Sequence, residues 1–310
     1  MSLAPKISRA MRSRWCVCGL LVHDSGKTWL TISLVKALRD RGIASKPLKP
    51  VAGHSAWIQR KTLDYSARLG ILVGEDVYQY YTMLNLNKDE LPLVNPVDLL
   101  LAPPNPTSYI RDGRLRLYAS LLESSLGQIA LARLPGSSLE PQHYLISDVV
   151  EMLTRSVKER ILDLARELNA ESIELNELVR LLKSKSIEDK VLECIDRVSK
   201  DVDVAVIESF NDAVVPLLKL LNRIDLLLLV APSIVAVYRD IDSVKRSIEI
   251  EIALRGEEAL RTPFALSRAR PIAIEEVEFS DDTSSLSRSR SLNHLLDSLL
   301  ALQQSVGEPL

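Results

Sequence analysis

An apolar stretch, Trp15 to Val22, runs into His23-Asp24-Ser25-Gly26-Lys27-Thr28 and then into an amphipathic segment, Thr31 to Arg41. Strand, tight turn and helix in that order form the setting of a phosphate-binding loop. In such a loop the backbone N–H groups of the turn and of the helix start surround phosphate oxygens. Lys27 then carries a positive charge to the β and γ oxygens, and the Thr28 hydroxyl takes a place on Mg2+. The glycine that opens the usual pattern belongs at position 21, where this chain has Leu21; the nearest upstream glycine, Gly19, stands earlier. The competing reading is a surface lysine in an ordinary turn, and the strand and helix on either side weigh against it.

A chain of 310 residues can bury a substantial core as one large domain or as a domain with an appendage. Its 39 basic and 41 acidic side chains nearly balance, which argues against a general nucleic-acid surface. Cys16, Cys18 and Cys194 make no zinc set; Cys16 and Cys18 alternate within the first strand and read as small buried apolar groups. The segment Met1 to Arg14 does not resemble a secretory signal, and no apolar run reaches membrane-spanning length. A cytoplasmic protein without membrane contact is expected.

Leu30, Leu34, Val35 and Leu38 lie on one helical stripe that Gly42 closes. Ile43 to Leu48 is a second strand ending at Lys49-Pro50, and Val51 to Trp57 reads as a loop because proline stops a ladder. The five prolines from Leu91 to Thr107 predict irregular chain. Arg114 to Leu122 and Gln128 to Leu134 read as a hairpin around Ser124-Ser125-Leu126-Gly127, followed by helices over Ile146 to Leu168, Ile173 to Lys183 and Ile187 to Val198. Val202 to Ile207 is a buried strand ended by Glu208, Leu226 to Ala231 a central strand, and Ile272 to Val277 a last one. Helices are expected at Val244 to Leu260 and Asn293 to Leu302, with a flexible link, Ser280 to Ser291, before the second.

The expected fold is α/β, a three-layer P-loop NTPase fold with a mostly parallel central sheet and a helical and hairpin insertion. Residues 1–109 would form its first half, 110–200 the insertion or partner region, 201–279 the second half, and 280–310 the link and closing helix.

Asp24, Ser25, Gly26, Lys27, Thr28 and Trp29 are the expected nucleotide-binding residues. Lys49 ends the second strand, where a cation would stabilise charge between a nucleotide phosphate and a second substrate. Glu208 ends a buried strand, well placed to reach Mg2+ with Thr28; Asp24 would assist the metal or else cap the helix. His54, in the loop near Lys49, is a candidate phosphate or carboxylate contact, or an acid–base group near neutral pH. His23, Trp57, Asp64 and Glu75 are weaker candidates, and His143 and His294 read as structural or solvent-facing.

These residues resemble the dethiobiotin synthetase-like P-loop proteins, within the larger group that includes cobyric acid synthases and the MinD and nitrogenase-iron-protein ATPases. The resemblance rests on Asp24 to Thr28, on Lys49-Pro50-Val51-Ala52-Gly53, on Asn95-Pro96 through Pro106, and on Glu208 to Pro216. Family members show Glu-Gly-Ala-Gly-Gly where this chain has Glu208-Ser209-Phe210-Asn211-Asp212, and they open the loop with Gly-Thr-Asp-Thr-Gly. In dethiobiotin synthetase the glycine-rich stretch helps receive a diamino acid at a dimer interface, so its loss counts against that substrate. The pairing of Asp24 to Trp29 with Lys49 to Trp57 looks closer to an archaeal group of predicted P-loop ATPases or GTPases.

The resemblance implies an ATP-dependent, Mg2+-requiring enzyme that activates a small-molecule carboxylate by phosphoryl transfer, with a homodimer by analogy. The alternatives are an ATPase or GTPase switch acting on a protein partner, and a kinase of a metabolite or a nucleic-acid end. ATP is preferred over GTP because no Asn-Lys-x-Asp tetrad is present.

Overall fold

The computed structural model describes residues 12–22, 25–278 and 282–304. Its strands in chain order are β1 (Ser13–Gly19), β2 (Ser45–Leu48), β3 (Val51–Ser55), β4 (Val97–Leu101), β5 (Ile129–Pro135), β6 (Pro141–Ile146), β7 (Glu171–Ile173), β8 (Val204–Glu208), β9 (Leu226–Ala231), β10 (Ile234–Tyr238) and β11 (Ala273–Glu276). They form two sheets in a mixed α/β architecture with many helices, consistent with a generic three-layer arrangement. The chain divides into two compact units, Met1–Leu48 with Asp196–Leu310, and Lys49–Ile195.

In the first unit the sheet runs β11-β10-β9-β1-β8-β2. The pairs β9/β1, β1/β8 and β8/β2 are parallel, while β10 and β11 are added antiparallel. Strands buried on both faces read as continuous apolar runs, and Trp15 to Cys18 in β1 are fully buried. Helix α1 (Lys27–Asp40) follows the loop after β1 and buries Leu30, Leu34, Val35 and Leu38. Each such side chain contributes about 1.5–3 kcal/mol when fully buried. From β1 the chain moves to one side, to β2; later it crosses from β8 to β9 on the other side. Open α/β sheets bind ligands outside the carboxyl ends of the strands at such a switch in direction.

The second unit holds a sheet of order β3-β4-β5-β6-β7. Its outer pairs, β3/β4 and β6/β7, are parallel; β4/β5 and β5/β6 are antiparallel. This sheet draws β3 and β4 from before residue 110 and β5 to β7 from after it.

Several local expectations are corrected. Val51 to Trp57 is not simply a loop: proline lacks an N–H, yet Pro50 only precedes β3, whose Val51 pairs with Val97. The proline-rich segment contains a helical turn, Leu91–Val94, and then β4. The hairpin at 114–134 is replaced by a helix, Leu115–Glu123, and by β5, which pairs with β4 and β6. Alternation lasts only from Arg114 to Leu117, and Ala119, Leu121 and Leu122 favour a helix. Ile146 to Leu168 is two helices, Ser147–Glu151 and Arg155–Glu167, preceded by β6. In the expected flexible link, residues 283–288 are helical, and 280–281 lie outside the described residues. No helix among the described residues is long and apolar enough to cross a membrane.

Candidate functional site

The loop after β1 is held shut by Ser25. Its hydroxyl donates to Leu21 O at 2.8 Å and accepts from Leu21 N at 3.1 Å. His23 and Asp24 lie outside the described residues. Gly26 is the N-cap of α1 with φ 87° and ψ 11°, a left-handed conformation that L side chains adopt only at a cost.

Gly19, at the end of β1, lies against the loop. A Cβ on Gly19 would stand 2.5 Å from Ser25 Oγ and 2.9 Å from Lys27 Nζ. The last residue of β1 is therefore the place where the loop and the lysine approach the backbone, and only glycine leaves the room. The buried Lys27 also influences the neighbouring strand. Burial pushes the Cys18 thiol up to about 12, with the Thr262 hydroxyl and then the Lys27 ammonium acting in the opposite direction. Cys16 is likewise raised by burial, so both cysteines are core groups, as their alternation implies.

Thr28, in the first turn of α1, donates from Oγ1 to Glu208 Oε1 at 3.0 Å. Glu208 is the last residue of β8, buried, and opposite Val17 of β1. The structure thus brings Thr28 and Glu208, two of the residues singled out in the sequence, into contact. Trp29 occupies the same first turn and is half-buried. Beyond Glu208, Ser209 N donates to Val17 O at 2.9 Å, and Asn211 has φ 46°. Asparagine is among the non-glycine residues that best tolerate this conformation, so the backbone turns there without a glycine.

The remaining candidates from the second unit sit in networks of their own. Lys49 is buried and ion-paired with Asp76 in the first turn of the helix Glu75–Met83. Its carbonyl accepts from Asn95 Nδ2 at 2.7 Å. His54 is enclosed within β3: Nδ1 is 2.8 Å from Thr62 Oγ1, and Nε2 is 3.1 Å from Asp98 Oδ1 in an electrostatic contact without hydrogen-bond alignment. Trp57 is exposed and carries the Arg60 guanidinium over its ring. Asp64 pairs with Arg160 at 3.0 Å, and Glu75 accepts from Gln59 at 3.4 Å. His143 is buried between the Leu72 N–H and the Leu168 backbone, whereas in the first unit His294 is exposed, 3.8 Å from Glu275.

Sequence reasoning passed over a buried group in the second unit. Asp98 in β4 and Arg133 in β5 are register partners, both essentially without solvent exposure, and 3.7 Å apart. Arg133 also donates to Asn95 Oδ1, and Gly74 N donates to Asp98 Oδ2 at 3.1 Å. The available signal was a single charge inside each of two apolar strands, of opposite sign.

Magnesium prefers octahedral oxygen sites and keeps several waters, using one or two protein ligands plus substrate phosphates. Adjacent ligands in such a site lie roughly 2.9 Å apart, close to the 3.0 Å between Thr28 Oγ1 and Glu208 Oε1. The pair therefore fits Mg2+, although among the described residues no group of three or more His, Cys, Asp or Glu gathers into a metal cluster. No protein-family model matches the chain, and no curated protein matches it either.

Proposed function

We propose that the first unit binds a nucleoside triphosphate with Mg2+, ATP in preference to GTP, and supports transfer of its terminal phosphoryl group to a small-molecule carboxylate. The observation that carries this reading is the 3.0 Å contact between Thr28 and Glu208 at the start of α1, beside a lysine folded against Gly19. In this reading Gly26 and the start of α1 receive the β-phosphate, where backbone N–H groups and the helix dipole favour an anion. Lys27 swings from Gly19 to the β and γ oxygens. Thr28 and Glu208 would hold Mg2+, which when bound neutralises charge on the transferring group.

The acceptor carboxylate oxygen attacks the γ-phosphorus, the bond from that phosphorus to the β,γ-bridging oxygen breaks, and the nucleoside diphosphate leaves, giving an acyl phosphate. Positioning and charge stabilisation supply most of the acceleration in such a transfer. The carboxylate acceptor is taken from the resemblance of Lys49 to Gly53 to the synthetases; the nucleotide part of the proposal rests on the first unit alone.

The test is binding and turnover by the purified chain. Wild-type protein should bind Mg–ATP, Lys27→Ala should lose it, and phosphorylated product should form from one member of a pool of small carboxylates. Hydrolysis stimulated by a protein partner, with no acceptor metabolite, would instead favour the switch. If wild-type protein retains neither ATP nor GTP in the presence of magnesium, the proposal is wrong.

A further inference from the structure

Asp212 and Arg261 form an ion pair in the first unit. Arg261 Nε donates to Asp212 Oδ2 at 2.7 Å. The Asp212 side chain is 11% exposed and that of Arg261 49%. Backbone ties hold the two segments in place: Thr262 N donates to Asp212 O at 2.6 Å, Val214 N donates to Leu260 O at 3.0 Å, and Ala213 and Arg261 form an antiparallel bridge.

This latch belongs to the neighbourhood of the loop. Asp212 is on the segment that leaves β8 at Glu208, the group that meets Thr28. Thr262, next to Arg261, is fully buried with its hydroxyl beside the Cys18 thiol. Cys18 in turn precedes Gly19, against which the Lys27 ammonium lies. The arginine is anchored along its Nε edge and remains half exposed. Asp212 takes the Nε edge, and Glu258 adds a second nearby negative charge. Among the described residues the terminal nitrogens of Arg261 make no hydrogen bond. A guanidinium held by a carboxylate in this way is a planar donor fork matched to phosphate oxygens.

We propose that Arg261 is a catalytic residue that binds the terminal phosphate of the nucleoside triphosphate, with Asp212 as its positioning partner. The proposal rests on the phosphate-loop reading above and adds a second cation, besides Lys27, from within the same unit. Negative charge spreads over the three outer oxygens of the transferring group, and an arginine supplied by the same chain stabilises it there. The terminal phosphate is favoured over the acceptor carboxylate because the latch is tied to the segment that begins at Glu208.

The test compares Mg–triphosphate with Mg–diphosphate binding, by calorimetry, for wild type, Arg261→Ala, Arg261→Lys and Asp212→Asn. Arg261→Ala should weaken triphosphate binding by about tenfold and leave diphosphate binding unchanged, with a larger loss in kcat. Arg261→Lys should recover part of the loss. Asp212→Asn, which keeps the shape but frees the fork, should lower the triphosphate-to-diphosphate ratio in the same direction, so the question can be answered even if Arg261→Ala fails to fold. A merely structural role would weaken both nucleotides equally, and that result overturns the proposal. So does an unchanged ratio with a raised KM for the acceptor alone. Wild-type protein that binds neither nucleotide would remove the phosphate-loop reading itself; wild-type binding with an unchanged ratio in every variant would remove only Arg261.

Discussion

Thr28 at the start of α1 and Glu208 at the end of β8 are 180 residues apart in the chain, and their side-chain oxygens stand 3.0 Å apart. The parallel pairing of β1 with β8, Val17 opposite Glu208, brings them together. A hydroxyl and a carboxylate at this separation hold each other in the free protein, and in the proposed reading they would share a cation.

Replacing that carboxylate separates the two roles. Glu208→Gln keeps an acceptor for Thr28, so thermal stability without nucleotide should change little. Turnover should fall by about two orders of magnitude, the scale of losing one oriented charge-stabilising group, and should require more Mg2+. A magnesium titration of the rate, with unfolding followed in parallel, checks this; a variant with wild-type magnesium dependence would exclude Glu208 from the metal.

Gly19→Ala tests whether the end of β1 is where the lysine must approach the backbone. The added methyl would meet Ser25 Oγ at 2.5 Å and Ser25 Cβ at 2.9 Å, so the loop has to shift. Nucleotide affinity should drop at least tenfold while the far-ultraviolet spectrum stays that of wild type. Leu21→Gly, which supplies the glycine of the usual pattern, should not rescue it, because the Lys27 ammonium lies against Gly19.

In the second unit, Asp98→Ala leaves Arg133 buried without its partner. Breaking a buried ion pair in this way costs about 3–5 kcal/mol, a large share of the stability of a domain. The double variant Asp98→Leu with Arg133→Met removes both charges and should recover most of the loss. Urea unfolding of the three proteins measures both effects; additive losses in the double variant would show that the two groups are not coupled.

His143 predicts a pH dependence. Burial first, and then the Arg133 charge, lower its pKa to about 4, against a partly opposing contribution from Asp98. The unfolded chain therefore binds a proton that the folded protein refuses between about pH 6.5 and 4. Stability from this group is fully present above about pH 6.5 and declines as pH falls to about 4, by about 3 kcal/mol across the window. Unfolding free energies at pH 7 and pH 5 should show this slope, and His143→Gln should flatten it. Equal slopes in both proteins would mean that other groups set the acid sensitivity.

The amount that the sequence revealed differs between the two units. β1, α1, β8 and β9 were readable because continuous apolar runs and a regular stripe report burial directly, and because the loop motif is local. Cys16 and Cys18 followed from alternation alone. The second sheet was not readable in the same way. β3 begins right after a proline, β4 sits in a proline-rich segment, and β5 pairs with strands on either side of it in the sheet rather than with the segment just before it. For Leu115–Glu123 the short Arg-Leu alternation outweighed helix propensity, and the helix buries none of its residues, so no core pattern corrected the reading.

By itself the chain determined the strand–turn–helix around Ser25 to Thr28, since these residues are neighbours and such a unit needs no distant information. Tertiary structure alone decided that Gly19 makes room for the lysine, that Glu208 meets Thr28, that Arg261 is held by Asp212, and that Asp98 and Arg133 cancel inside a sheet. Each of these depends on strand order and register. Pairing between distant segments is selected by the summed burial of whole faces, and that sum is not written in any local stretch of residues.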